Sequence, residues 1–318
     1  RQATMYAFLS AGWVLPSLIA PALAGSVTEH FGWRWVFLGI VPFGFAVGAL
    51  AVQPMRRYGP VGDGRTVASR IPAALGAALG IGLLVTGLEL ANLVVAAITA
   101  SIGLCLALPS LRRLFPEGVG RARRGLPAVI ACRMLATATF LGVDSFVPLA
   151  ADRIHGAAPR VQGFVIIGAA LTWTVGQWLT ARRPPHNPGM PVRWGFVFLM
   201  LGTVLVAPVL DRGWPLWATF LAWCVGGFGM GILFNPSTVA AMSYAEQGHE
   251  GLVSGQLSLA DAVGFSMMGG VGGAMVAFAD RTSLTLRGAL ASNFSIAILL
   301  ACVGIVASRG VRRASRTV

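Results

Sequence analysis

Lysine is missing altogether: all 24 basic residues of the 318-residue chain are arginine. Acidic residues are scarce too, 11 in all, and charged residues make up 11% of the chain, less than half of the roughly 25% typical of a soluble domain. A chain so poor in charge cannot cover a water-exposed globule, so a soluble protein is excluded. Without lysine there is no GxxxxGK[ST] phosphate loop, because the lysine that reaches the phosphates is absent, and nothing supports an ATP-driven pump domain. The four cysteines, Cys105, Cys132, Cys224 and Cys302, sit singly in apolar runs without CxxC spacing, which argues against a disulfide framework or a zinc site. The four histidines, His30, His155, His186 and His249, are scattered and form no HExxH pair, so a metallohydrolase has no ligand set.

What remains is apolar. Hydrophobic residues make up 56% of the chain and the mean hydropathy is +0.74. A hydrocarbon core about 30 Å thick needs about 20 apolar residues of helix. Ten uncharged or nearly uncharged runs approach that length: 4–26, 35–55, 71–89, 91–110, 126–150, 161–181, 194–210, 214–243, 252–279 and 288–308. The predicted fold class is an all-α polytopic membrane protein with about ten transmembrane helices.

The net charge of +13 resembles that of a nucleic-acid binder until the arginines are located. They fall in short clusters between the runs, the pattern of a charge bias across a membrane rather than of a basic groove. Placing Arg1, 56–70, 112–124, 182–193 and 309–316 on one side gathers 17 arginines there against six on the other, with Arg133 inside a run. The positive-inside rule makes the first side cytoplasmic and puts both visible ends of the chain in the cytosol. The 244–251 loop dissents, carrying Glu246 and Glu250 and no arginine, but acidic residues count little in the rule. Trp33, Trp35, Trp178, Trp194, Trp214 and Trp217 lie near run ends, where an amphipathic ring suits the interface.

Arg133, Asp144 and Asp261 are the formal charges well inside runs. An intramembrane charge costs roughly 2.5–3.5 kcal/mol on insertion scales, which makes each a functional candidate. Arg133 lies about two turns from the cytoplasmic end of its run, near enough to snorkel to headgroups. Asp144 follows eleven residues later, within about 20° of the same helix face and about 16 Å away, so the two share a path without touching. Ser254, Ser258 and Asp261 form an i, i+4, i+7 stripe that Phe265 continues, suited either to a wet cavity or to hydroxyl-mediated helix packing. Trp173 and Gln177 lie one turn apart, and Asn235 precedes Pro236 near an expected helix break. The glycine clusters 227–231 and 269–273 lack the strand–turn–helix setting of a dinucleotide site and read as small-residue helix packing.

The segment 11–42, AGWVLPSLIAPALAGSVTEHFGWRWVFLGIVP, resembles the major facilitator superfamily, and within it the fourteen-helix drug:proton antiporter branch. That branch carries a motif G-x8-G-x3-G-P-x2-G-G on its fifth helix. Anchored at Pro21, the corresponding residues are Ala7, Pro16, Ala20, Pro21, Ala24 and Gly25. Pro21 and Gly25 match outright, and the others stay small except Pro16. The run Gly32-Trp33-Arg34-Trp35-Val36-Phe37 resembles the entry to the family's sixth helix. Prolines that bend the first helix, with small residues that permit close contact, make it a plausible gate seam.

The resemblance implies that the chain is a fragment preceded by four helices. Residues 1–57 would be the last two helices of an N-terminal bundle, and 58–125 would hold cytoplasmic loops and two peripheral linker helices, 71–89 and 91–110. Residues 126–308 would form a six-helix C-terminal bundle and 309–318 a basic tail. It implies proton-coupled export of small amphipathic molecules by alternating access in a bacterial inner membrane; as carboxylates inside runs, Asp144 or Asp261 is the candidate carrier of the coupling proton, with Asp144 preferred. Arg133, Trp173, Gln177, Asn235 and Ser258 would line the substrate path, and Pro16, Pro21 and Gly25 would mark the antiporter-type helix. No cofactor beyond the proton gradient is expected. The expected partners are substrate, protons and membrane lipids, with no nucleic acid and a monomeric state. A proton-coupled importer and a membrane-embedded enzyme or interaction subunit are the rival readings; an enzyme would need converging acid/base or metal groups, which the sequence does not supply.

Overall fold

The structure, a computed structural model, describes residues 20, 23–55, 69–282 and 284–314. Residues 23–31 are helical. Ten α-helices of the described residues follow: α1 (Trp33–Met55), α2 (Ile71–Glu89), α3 (Leu93–Leu114), α4 (Leu126–Asp144), α5 (Val147–His155), α6 (Pro159–Arg182), α7 (Gly189–Val206), α8 (Leu216–Met242), α9 (Glu250–Ala279) and α10 (Leu286–Ala307). No strand occurs among the described residues. Nine stretches of them are long and apolar enough to cross a membrane, so the chain is a multi-pass, all-α membrane protein. The expected run 4–26 lies largely outside the described residues.

The helix starts follow from local chemistry. Proline occupies the first or second position of α2, α4, α5 and α6, where its missing N–H would be unsatisfied anyway. Asn92 caps α3 by accepting from the N–H groups of Val94 and Val95 at 3.0 and 3.2 Å, and Thr285 caps α10 through Gly288 N at 3.2 Å. Two expected boundaries need correction. The run 126–150 is not one helix, because α4 ends at Asp144 and α5 begins at Val147 with Pro148 in its first turn. Conversely, α8 passes through Pro236 without a break.

Helices α4 and α6 to α10 pack on one another, α8 against both α6 and α7, and α4 against both α9 and α10. Their shared interior holds Val129, Ile130, Phe196, Leu199, Trp223, Leu233 and Phe294, all essentially inaccessible. Helices α2 and α3 pair with each other, and α2 leans on α9. Helix α2 forms one wall of a cavity of about 1230 Å³ against α9, to which α3 adds Leu114. By contrast α1 is exposed along Trp33–Val52.

Hydrogen bonds gather the arginine-rich connections at one end of the molecule: Gly125 N donates to the Gly310 carbonyl at 2.9 Å, Tyr244 Oη to the Arg312 carbonyl at 3.2 Å, and Gln256 Nε2 to the Leu114 carbonyl at 2.9 Å. The 244–251 loop, which lacks arginine, joins the same end. Partial burial pushes the Tyr244 phenol up in pKa, with Arg312 acting the other way.

The glycine cluster 227–231 is a packing device, whereas in 269–273 Gly270, Gly272 and Gly273 meet neighbours and Gly269 faces open space. A Cβ on Gly227 would overlap the Ala169 carbonyl of α6, so backbone approaches backbone there with no side chain between. Gly227→Leu is expected to lower unfolding stability by about 1–3 kcal/mol through overpacking. Gly39→Leu on α1, where nothing lies within 4 Å, serves as the neutral comparison in the same thermal melt.

Candidate functional site

Arg133 does not snorkel. It projects from α4 into the bundle with 3% of its side chain exposed, against 27% for Asp261 of α9, to which it pairs. The guanidinium grips the carboxylate as a fork, Nε donating to Oδ1 at 3.1 Å and Nη2 donating to Oδ2. Thr137, one turn after Arg133, donates to the same Oδ1 at 2.8 Å. From α8, Thr238 Oγ1 and the Phe234 carbonyl accept from Nη1 at 2.8 and 3.3 Å, and the Phe234 ring lies 3.4 Å below the guanidinium carbon. Three helices therefore meet at one charge pair. A bidentate pair is the geometry that best repays the cost of burying two charges. The adjacent serines do not serve Asp261: its partners come from α4, and Ser254, Ser258 and Phe265 point to the exposed side of α9.

Asp144 ends α4, and Trp223 Nε1 of α8, fully buried, donates to its Oδ1 at 2.6 Å. Phe140 stacks on Trp223 with centroids 5.2 Å apart and meets the edge of Trp173 at the same separation. Trp173 in turn lies 5.4 Å from Phe234. An unbroken aromatic row thus runs from Asp144 to Arg133, and α4 supplies both ends because eleven residues return to the same face. Within this row the Trp173 indole N–H is buried without a hydrogen-bond partner among the described residues, as is the Thr139 hydroxyl beside Phe140.

The other expected residues are less engaged. Gln177 and Asn235 are half-buried and Ser258 is exposed; no hydrogen bond among the described residues involves their side chains. The Phe234 carbonyl next to Asn235 accepts from Ser237 Oγ at 2.7 Å and Thr238 Oγ1 at 3.0 Å. Pro16 and Pro21 lie outside the described residues. Gly25 is described, and a Cβ there would contact Arg160 of α6 at 3.7 Å. One turn on, Glu29 pairs with Arg160 at 3.0 Å. Sequence reading missed Phe140, Phe234, Thr137 and Thr238 as members of the site. The spacing of Thr137 one turn from Arg133 was the available signal. Among the described residues no three His, Cys, Asp or Glu side chains gather as a metal site.

Residues 1–269 match the family model for the Major Facilitator Superfamily. The chain belongs to that superfamily. Among its superfamily relatives is an MFS-type transporter of Metarhizium majus (strain ARSEF 297), 23% identical over 263 residues that cover 77% of this chain and 45% of the fungal protein. Two probable multidrug-efflux transporters of Mycobacterium tuberculosis, from strains CDC 1551 / Oshkosh and ATCC 25618 / H37Rv, are each 25% identical over 324 residues, covering 95% of this chain and 67% of their own length. The chain thus spans about half the length of the fungal superfamily member and two thirds of the mycobacterial ones.

Proposed function

We propose that this chain works in a secondary transporter that exports small amphipathic molecules in exchange for protons by alternating access. The observation that carries the reading is the Arg133–Asp261 pair, held inside membrane-spanning helices by Thr137, Thr238 and Phe234. Ionisable groups buried in a membrane mark ion or substrate pathways. A proton on Asp261 removes half of the pair and frees Arg133, which gives a protonation event a mechanical consequence. Asp144 is the second coupling group, its carboxylate accepting from the Trp223 indole. The aromatic row between them, with Trp173 at its centre, offers amphipathic molecules flat apolar surface, and Gln177, Asn235 and Ser258 complete the proposed path. The mycobacterial relatives' descriptions support export. The remaining proposals are a bacterial inner membrane, cytosolic chain ends, a monomer, and no enzymatic step.

The test is flux of a fluorescent amphipathic probe in vesicles carrying the full-length protein under an imposed pH gradient. Gradient-driven export supports the proposal, gradient-driven uptake favours the importer, and gradient-independent behaviour overturns proton coupling. Trp173→Phe sharpens it. Removing an unpaired buried donor is nearly neutral for folding, so thermal stability should stay within about 1 kcal/mol of the parent while probe affinity changes. Unchanged affinity would take Trp173 off the path.

A further inference from the structure

The crevice between α2 and α9 lies on a different face of α9 from Asp261, and nothing in the charge-pair site uses it. Its walls are small and apolar: Ala74, Ala78 and Gly82 on α2 face Gly251, Gly255 and Gly269 on α9. A Cβ on Gly82, Gly251, Gly255 or Gly269 would find nothing within 4 Å, so the helices stand apart rather than interdigitate. They touch at the far end, where Gly270 meets Val85 and Arg281 Nη1 donates to the Glu89 carbonyl at 2.9 Å. The crevice is therefore bounded at the Glu89 end, while toward the arginine-rich end α9 meets α3 instead, through Gln256 and the Leu114 carbonyl.

Its dimensions and charges describe an occupant. From Ala74 to Thr86 the α2 wall rises about 18 Å, close to half of the roughly 30 Å hydrocarbon core. The volume of about 1230 Å³ exceeds the roughly 300–1,000 Å³ of a compact small-molecule pocket. At the arginine-rich end Arg70 lines the crevice beside His249. Among the described residues no acidic group pairs with Arg70, and Arg112 and Arg113 occupy the last turn of α3 at the same end. Glu250 sits at this end between the lining residues His249 and Gly251, and Arg70, Arg112 and Arg113 outnumber it. A slot one leaflet deep, apolar along its walls and cationic at the membrane surface, matches an amphiphile with an anionic head.

We propose that this crevice holds one anionic glycerophospholipid, its phosphate against Arg70 and its acyl chains along the small-residue walls of α2 and α9. The lipid fills space that neither helix fills and joins the α2–α3 pair to the bundle.

The test is native mass spectrometry of the full-length protein, delipidated and then exchanged into nanodiscs of phosphatidylglycerol or phosphatidylcholine. The parent should retain one phosphatidylglycerol through detergent activation and prefer it to phosphatidylcholine. Arg70→Gln should reduce that preference about fivefold, the worth of one basic residue near a membrane surface. Gly255→Phe, which projects a ring into open space, should abolish retention with the melting temperature preserved, and Gly82→Phe should do the same from the opposite wall. Retention of no lipid by the parent would show that another part of the protein covers the crevice and would overturn the proposal. So would undiminished retention by both phenylalanine variants, or a phosphatidylglycerol preference that ignores Arg70→Gln.

Discussion

Arg133→Leu is expected to destabilise the protein by about 3–5 kcal/mol, because it leaves the Asp261 carboxylate with Thr137 alone in a site closed to water on the α4 side. The fork of two hydrogen bonds, the Thr238 contact and the Phe234 stack are lost together. Asp261→Leu should also destabilise, since the guanidinium keeps only the Thr238 and Phe234 acceptors. The double replacement should lie closer to the parent than either single one, because a buried pair replaced by well-packed apolar groups is often neutral or stabilising. A double-mutant cycle on unfolding in detergent reads the coupling directly. Additive losses would mean that the two side chains act independently and that the pair is incidental.

Gradient-driven flux is expected to fall in Asp261→Asn or Asp144→Asn by about 5–150-fold, the range of a coupling free energy of 1–3 kcal/mol between two ligands, here proton and substrate. Each asparagine keeps the side-chain shape; at 144 it keeps the oxygen that Trp223 contacts, and at 261 it keeps one of the two oxygens that Arg133 grips, so the fold should survive. Substrate exchange without a gradient should persist, which separates a lost coupling group from a lost binding site. The two sites predict different residual behaviour. Asp261→Asn should also loosen Arg133, visible as faster proteolysis or altered thermal stability, whereas Asp144→Asn leaves the Trp223 bond in place. Normal pH-driven transport in both single variants and the double variant would remove both aspartates from the coupling path.

The spanning helices were legible in the sequence because a membrane leaves a one-dimensional signature: an uncharged run of sufficient length has few other readings. The stops within those runs were not. Nothing local to 126–150 announces that α4 ends at Asp144, since Pro148 is compatible with a kinked continuous helix. At Pro236 the opposite holds: a proline inside a long apolar run costs the helix one backbone bond, and packing of α8 against α4, α6 and α7 keeps it continuous. The charged residues were legible as functional candidates one by one, on cost alone. Their partners were not, because Arg133 and Asp261 are 128 residues apart and Asp144 and Trp223 are 79 apart. Helix periodicity relates residues within one helix and is silent about which face of another helix it meets.

The glycine seam of α8 has a consequence for how the molecule moves. Where Gly227 rests on the Ala169 backbone, and Gly202 of α7 on Gly226, there are no side-chain rotamers to exchange, so sliding has no low-energy alternative packing to fall into. Helices α6, α7 and α8 are in this respect a single plank. The contact between residues 23–31 and α6 is of another kind, one half-exposed ion pair between Glu29 and Arg160 and one van der Waals touch at Gly25. Exposed pairs of that sort are worth about 0–1 kcal/mol, on the order of thermal energy. Among the described residues, the join between 23–31 and α6 is thus far weaker than the backbone seams that bind α6, α7 and α8 together.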